Sequence, residues 1–300
     1  MKVLITGATG LIGKEIVSLC HQSGIDVNYL TTNKAKIRTE PNYKGFLWDL
    51  QNREIDTKCF EDVEVVINLV GATVAKRWTS SYKKEIIESR VASASLLLES
   101  LKNIHHSIRH VVSASAIGIY PDSFQNYYTE DMTLEEDGFL GQVVRKWENS
   151  IHQFNTLDIE VSLLRIGLVL SDRGGAFPKI ERPIRLGFGA FFGNGNQWQS
   201  WIHVDDVARM FVFVIEKELV GTFNAVAPNP VSNKKMTCTI AQKLNKKIIL
   251  PNVPKLAMKL MLGEMHILLF SSQRVSCDKI SDLGFVYDYD SIDHAVASLL

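Results

Sequence analysis

The sequence predicts a doubly wound α/β fold, with helices covering both faces of a parallel sheet, and three observations carry that prediction. Through residues 1–170 strand-like apolar runs alternate with amphipathic helix-like segments, the rhythm of repeated β-α-β units. Val65-Val66-Ile67-Asn68-Leu69-Val70 is a nearly continuous apolar run, as strands buried on both faces require. A glycine-rich turn, Gly7-Ala8-Thr9-Gly10-Leu11-Ile12-Gly13, follows the apolar run Val3-Leu4-Ile5 directly.

The elements follow in order. Val3–Ile5 reads as a first strand, and the helix after the glycines carries Ile12, Ile16, Leu19 and Cys20 on one side. Strands follow near Val27–Leu30 and Gly45–Trp48, then at Val65–Val70. Lys83–Leu101 places Ile86, Ile87, Val91, Ala94, Leu97, Leu98 and Leu101 at helical spacing. His110–Ser113 is a further strand, Phe139–Phe154 a helix and Val161–Leu170 a strand. Right-handed crossovers join such units into one parallel sheet. The second half is less regular. Glycine loops at 173–175 and 187–195 precede Ser200–Val204, and Asp205-Asp206 caps an apolar helix through Ile215. Beyond Gly221 prolines punctuate the chain, with helices expected at 235–244 and 255–269. The resulting division gives 1–165 to the sheet domain, with 200–218 returning to it, and 166–199 with 219–300 to a small C-terminal α/β lobe.

Charge and cysteines narrow the function classes. Lys plus Arg and Asp plus Glu both number 33. That balance argues against nucleic acid or an anionic membrane as the main partner. The cysteines, Cys20, Cys59, Cys238 and Cys277, lie far apart with no C-x-x-C pair, so neither a disulfide frame nor a metal site is expected. No segment is long and apolar enough to span a bilayer, and the chain opens directly into a strand. A cytoplasmic protein with a small-molecule substrate is expected. A homodimer is left open, because dimer helices and core helices look alike in one sequence.

The glycine turn points to a ligand. Gly7 and Gly10 permit a tight turn and close approach of backbone to a phosphate, and Gly13 lets helix and strand pack closely. Gly7, Thr9, Gly10, Leu11, Ile12 and Gly13 are therefore the expected cradle of a pyrophosphate at a helix N-terminus. At the end of the second strand, where an NAD site carries an acid, this chain reads Thr31-Thr32-Asn33-Lys34. With no acid to repel a 2′-phosphate and Lys34 to attract one, NADP is preferred over NAD, with Thr32 and Lys34 at the ribose.

A set of motifs spans nearly the whole chain. Lys76-Arg77-Trp78-Thr79 precedes Glu88-Ser89-Arg90-Val91, and Ser113-Ala114-Ser115-Ala116-Ile117-Gly118-Ile119-Tyr120 follows. Phe139-Leu140-Gly141 comes with Trp147-Glu148, then Arg165–Ser171, Trp201-Ile202-His203-Val204-Asp205-Asp206, Asn224–Pro230, Leu262-Gly263-Glu264 and Gly284-Phe285. In this order they resemble the extended short-chain dehydrogenase/reductase superfamily, specifically its sugar-nucleotide epimerase-like branch. The resemblance implies a Rossmann core whose small C-terminal lobe closes over the nicotinamide. It makes Asp49-Leu50 an adenine-contacting pair, and Val70, Gly71, Ala72 and Ser113 further cofactor-lining positions. The relatives' arginine at Thr32 is missing here.

The same resemblance exposes an altered catalytic half. The superfamily pairs a Ser or Thr with Tyr and Lys in Y-x-x-x-K, the lysine tuning the tyrosine for proton transfer. In the register set by Trp147-Glu148 those two positions are Leu140 and Val144. Ser115 remains as the expected substrate-binding hydroxyl and catalytic candidate. Tyr120 is a weaker replacement, more simply read as a packing tyrosine, and His203 is more simply a loop support. Trp78, Arg90, Gln197 and Trp201 are the expected substrate contacts. Arg90 stands where relatives carry Asn. Leu168, Gln199 and Ser200 replace the Asn and Arg-Asp of sugar-nucleotide enzymes, which argues against a UDP-sugar. These readings amount to an NADP(H)-dependent, epimerase-like oxidoreductase acting on a small polar substrate. The alternative is a catalytically silent NADP(H)-binding regulator.

Overall fold

The computed structural model describes all residues, Met1–Leu300. Its centre is a nine-stranded sheet. The long strands are β1 (Lys2–Thr6), β2 (Asp26–Thr31), β3 (Tyr43–Asp49), β4 (Val65–Asn68), β5 (His110–Ala116), β6 (Glu160–Ile166) and, beyond two further strands of the small lobe, Gly221–Ala225. They lie in the order β3-β2-β1-β4-β5-β6 followed by Gly221–Ala225, all parallel; only the short strands Thr39–Glu40 and Glu54–Ile55 run antiparallel. Strand order reverses between β1 and β4. At such a switch point a crevice opens beyond the carboxyl ends of the strands.

The helices form for the reasons the spacing gave. Helix α1 (Leu11–Gln22) buries Gly13, Ile16 and Cys20. Helix α2 (Ser80–Lys102) starts where Thr79 Oγ1 accepts the Tyr82 amide hydrogen and buries Ile86, Ala94, Leu97 and Leu101. Helix α3 (Phe139–His152) buries Val143, Val144, Trp147 and Ile151. These faces join β1, β2, β4, β5 and β6 in one large core.

The small lobe has a core of its own. Strand β7 (Leu168–Leu170) pairs in parallel with β8 (Trp201–His203). Around them lie α4 (Phe177–Arg185), α6 (Asn233–Lys243), α7 (Lys255–Leu262), α8 (Ile267–Phe270) and α10 (Ile292–Leu299), whereas α5 (Val204–Glu216), β9 (Gly221–Ala225) and α9 (Asp278–Asp282) pack on the main sheet. Leu170, Phe177, Trp201, Met236, Ile240 and Val296 form the second core. Helix α5 returns to the main domain and packs against α1.

Three expectations change. The strand foreseen at 161–170 is split at Gly167, where a Cβ would sit 2.3 Å from the Ser200 carbonyl oxygen. Residues 221–225 do not belong with the small lobe: β9 pairs with β6, with Ala225 opposite Ile166. The helix foreseen at 255–269 breaks at Gly263, which takes φ +61°.

The chain passes between the two parts at one laced crossing. The Gly167 amide donates to Ala225 O (3.1 Å), the Leu168 amide to Ser200 O (2.8 Å) and the Ala227 amide to Trp201 O (2.6 Å).

Candidate functional site

The first half of the site follows β1. Gly7 adopts φ +78°, and a Cβ there would lie 3.2 Å from Leu69 Cβ. A Cβ on Gly13 would lie 2.3 Å from the Gly7 carbonyl oxygen and 2.8 Å from Ala8 Cα. Both positions therefore require glycine, and the turn closes through the Gly10 amide donating to Gly7 O at 2.9 Å. No acidic residue or capping side chain occupies the first turn of α1, so its free N–H groups and positive dipole end face the crevice. At the tip of β2, Thr32 and Lys34 are exposed, and no carboxylate pairs with Lys34, Lys36 or Arg38. The residues present fit a dinucleotide: a glycine cradle that a Cβ would fill and an unpaired helix N-terminus, with exposed cations at the tip of β2.

Two expected cofactor residues are engaged elsewhere. Asp49 caps a turn, accepting from the Gln51 and Asn52 amides and from Asn52 Nδ2, and the backbone donors hold its carboxyl below the usual range. Ser113 is fully buried. Asn68 Nδ2 donates to Ser113 Oγ at 3.0 Å and Thr6 Oγ1 donates to Asn68 Oδ1 at 2.8 Å, so Ser113 belongs to a polar ladder under the strand ends. Leu50 packs on the main core, while Val70, Gly71 and Ala72 lie in the loop after β4.

The second half is a cavity of about 490 Å³ beyond the ends of β5 and β6. One wall is Ile117, Leu140, Val143 and Val144, and another is Trp78, Phe139 and Leu268. Leu140 and Val144, the positions where the resemblance implies a Tyr and a Lys, thus put alkyl groups on the cavity wall. Arg90 and Trp147 supply the polarity. The guanidinium lies 4.8 Å over the Trp147 ring, and Nη1 donates to Ala72 O (3.1 Å) and Ile86 O (2.8 Å). Arg90 Nε and Trp147 Nε1 are both buried without a partner. Burial pulls the Arg90 pKa down to about 10, so it is still a cation at neutral pH, and no carboxylate pairs with it. A Cβ on Gly71 would sit 2.7 Å from the guanidinium carbon, so the loop after β4 joins the two halves.

The other titratable groups lining the cavity include Asp122, Glu136 and Lys255. Asp122 Oδ1 accepts from the Ser272 amide at 2.7 Å, and Glu136 Oε1 from the Gly138 amide at 3.0 Å.

Several sequence expectations are corrected here. Ser115 does not line the cavity. It is 2% exposed, and its hydroxyl donates to Glu148 Oε1 at 2.5 Å. Gln197 is buried, donating to the carbonyls of Phe192 and Leu269, and Trp201 is fully buried in the small lobe with its indole N–H on Asn229 O. Neither is among the residues that line the cavity. Of the four foreseen substrate contacts, Trp78 and Arg90 face it.

Sequence reasoning missed the network that holds Ser115. Arg165 Nε and Nη2 each donate to Glu148 at 2.9 Å, one to each carboxylate oxygen. Arg165 Nη1 donates to Tyr120 Oη at 3.1 Å, and that hydroxyl donates to Asn224 Oδ1 at 2.8 Å. Burial pulls the Arg165 pKa down, but the Glu148 hydrogen bonds and charge outweigh it and raise it. Tyr120 is buried and its pKa is raised, chiefly by burial, so it is a packing tyrosine. His203 Nδ1 accepts the Asp205 amide hydrogen at 3.2 Å, so this histidine caps α5, the role foreseen for the aspartates. Asp206 instead accepts from the amides of Asp288 and Tyr289.

Comparison with known proteins bears on this geometry. The NAD dependent epimerase/dehydratase family matches residues 3–226, and a domain of unknown function, DUF1731, matches 253–299. An epimerase family protein of Staphylococcus epidermidis is 34% identical over 303 residues, covering 100% of this chain and 99% of that one. One from Staphylococcus aureus is 35% identical over 302 residues, covering 99% and 98%. Among solved structures, the human epimerase family protein SDR39U1 (isoform 2) with NADPH has a TM-score of 0.85 at 24% identity, covering 100% of this chain and 99% of that one. The nucleoside-diphosphate sugar epimerase of Corynebacterium glutamicum has a TM-score of 0.79 at 28% identity, covering 99% of this chain and 57% of that one.

Proposed function

The chain belongs to the NAD dependent epimerase/dehydratase family, and from that premise we propose that it is an NADP(H)-dependent oxidoreductase of epimerase-like type. Gly7, Thr9, Gly10, Leu11, Ile12 and Gly13 hold the pyrophosphate, with Val70, Gly71 and Ala72 beside it. Lys34 reads the 2′-phosphate. The human epimerase family protein was crystallised with NADPH, which supports this choice of cofactor. Bound, the dinucleotide supplies or accepts a hydride at its nicotinamide ring.

The observation that carries the substrate reading is Arg90: a half-buried cation with no carboxylate partner and a buried orphan Nε, stacked on Trp147 whose own N–H is unpaired. Such donors lose free energy unless something accepts from them. The substrate therefore presents a carboxylate or carbonyl oxygen to Arg90 and Trp147, and lays a mostly apolar body against Leu140, Val144 and Phe139. This is a less polar molecule than the sequence suggested. Leu140 and Val144 exclude water and move no proton, so proton transfer falls to solvent at the mouth.

NADPH and NADH are titrated separately, read by tryptophan quenching and energy transfer to the nicotinamide. Tight NADPH and weaker NADH binding is expected, and no binding of either overturns the proposal. A screen of carboxylated aromatic aldehydes and ketones, read by NADPH consumption, then tests the substrate class. Arg90→Gln is expected to raise KM for any hit by more than it weakens NADPH.

Leu140 and Val144 favour a second reading, a silent NADP(H)-binding regulator. If the Leu140→Tyr/Val144→Lys chain turns over a substrate that the native chain leaves untouched, this second reading is supported.

A further inference from the structure

The neutral charge of the whole chain conceals a segregated stretch. From Leu219 to Gly263 there are seven lysines and no aspartate or glutamate. Lys235 pairs with Asp293, whereas Lys243, Lys246, Lys247, Lys255 and Lys259 are exposed with no carboxylate partner.

The same stretch exposes apolar side chains in an order opposite to that of an ordinary surface helix. Helix α7 turns Met258 inward and Leu262 partly so. At about 100° per residue the opposite arc carries Leu256, Leu260 and Ala257, and no polar residue, with exposed Met261 at its edge. Leu256 is 68% exposed and Leu260 78%. Lys255 and Lys259, one turn apart, flank that arc.

The face continues beyond the helix. Ile249 is exposed. A Cβ on Gly189 would lie 2.6 Å from Ile248 Cδ1, and the Val253 amide donates to Phe191 O at 2.8 Å. These contacts hold the 186–192 loop against residues 248–253, and Leu186 and Phe188 of that loop are exposed as well. Lys179 and Arg182 line a shallow groove with Leu186 and Phe188.

Contiguous exposed apolar surface of this kind is covered in the working state. A second copy placed across a twofold axis would set lysines against lysines, which is repulsive. An anionic bilayer meets both parts: apolar side chains enter the headgroup boundary while lysines reach lipid phosphates. We propose that this face, centred on α7, docks the protein on an anionic lipid bilayer. Leu256, Leu260 and Ile249 insert, and Lys246, Lys247 and Lys259 contact the headgroups. Lys255 lies both at the edge of this face and in the cavity wall, so docking brings the cavity beside the lipid.

The test is vesicle flotation of the full chain. Vesicles of phosphatidylglycerol with phosphatidylcholine should carry it at low salt, and vesicles of phosphatidylcholine alone should not. Leu256→Glu/Leu260→Glu, and separately Lys246→Gln/Lys247→Gln/Lys259→Gln, should each lower the partition coefficient by about tenfold or more. Both variants should melt like the parent, since the altered side chains are exposed. Failure to float with either vesicle, or equal flotation with both, overturns the proposal. So does binding to poly-glutamate without binding to vesicles, which would assign the face to an acidic protein. A dimer on gel filtration that Leu260→Glu splits would assign it to a second copy.

Discussion

Replacing Glu148 by Gln keeps the shape of the buried network and removes the negative charge that Arg165 pairs with. In the native chain the carboxylate accepts three hydrogen bonds, one from Ser115 and two from Arg165, with 10% and 12% of the Glu148 and Arg165 side chains exposed. Glutamine offers one acceptor and turns an amide N–H₂ toward an Arg165 or Ser115 donor, leaving the guanidinium buried and uncompensated. Breaking a buried pair from one side costs about 3–5 kcal/mol. Against a total stability of about 5–15 kcal/mol, that is a large share. At about 2–4 °C per kcal/mol the melting temperature should fall by roughly 6–20 °C. Urea denaturation of Glu148→Gln, Arg165→Met and the double variant closes the cycle. The double variant should lose at least ~1 kcal/mol less than the sum of the singles, because removing both partners leaves no orphan charge. NADPH affinity should hardly change. A loss below about 1 kcal/mol for Glu148→Gln, or additive singles, would refute the reasoning.

Four further outcomes follow from the same structure. Ser115→Ala should cost about 1–2 kcal/mol of stability by removing a donor to a charged acceptor, and calorimetry checks it. Gly13→Ala drives a Cβ into the Gly7 carbonyl, so NADPH affinity measured by fluorescence titration should fall by about tenfold or more. Lys34→Glu should weaken NADPH about tenfold and NADH little, by replacing an attraction for the 2′-phosphate with a repulsion. Burial holds His110 and His203 below the ordinary histidine value. They stay neutral in the folded chain while the unfolded chain takes up protons below about pH 6.5, so stability should fall as pH drops through that point toward pH 5. Urea midpoints at both ends of that window measure the slope. His203→Asn, which keeps an acceptor for the α5 cap, should flatten it.

The sheet and the phosphate turn were legible because local rules fix them. Val65–Asn68 could only be a doubly buried strand, and the spacing of Gly7, Gly10 and Gly13 has a steric meaning independent of the rest of the chain. Leu140 and Val144 were legible through the Trp147-Glu148 register, and both line the cavity. What failed depends on distant packing. Glu148 and Arg165 are separated by 17 positions, and only the seating of α3 on β6 makes them a pair. Ser115 carries a candidate's residue type at a candidate's position, yet its direction is set by that pair. Trp201 and Gln197 were assigned to substrate because they sit where the second part of the chain meets the first, but the Trp201 side chain is buried in the small lobe and Gln197 is held by the carbonyls of Phe192 and Leu269. The split at Gly167 had one local sign, a glycine inside an apolar run. The carbonyl that enforces it comes from Ser200.

The laced crossing at Gly167, Ser200 and Ala225–Ala227 bears on how the chain becomes a protein at all. Strand β9 is laid on the sheet by residues close to the crossing, so a ribosome must release about three quarters of the chain before the main sheet can be finished. A fragment ending near residue 166 would present β6 as a naked edge, open to pairing with another such fragment. The two parts are tied by backbone hydrogen bonds instead of a free tether. Heating should therefore melt them in a single calorimetric transition, and genetic truncation to the sheet domain alone should give aggregates instead of a working half.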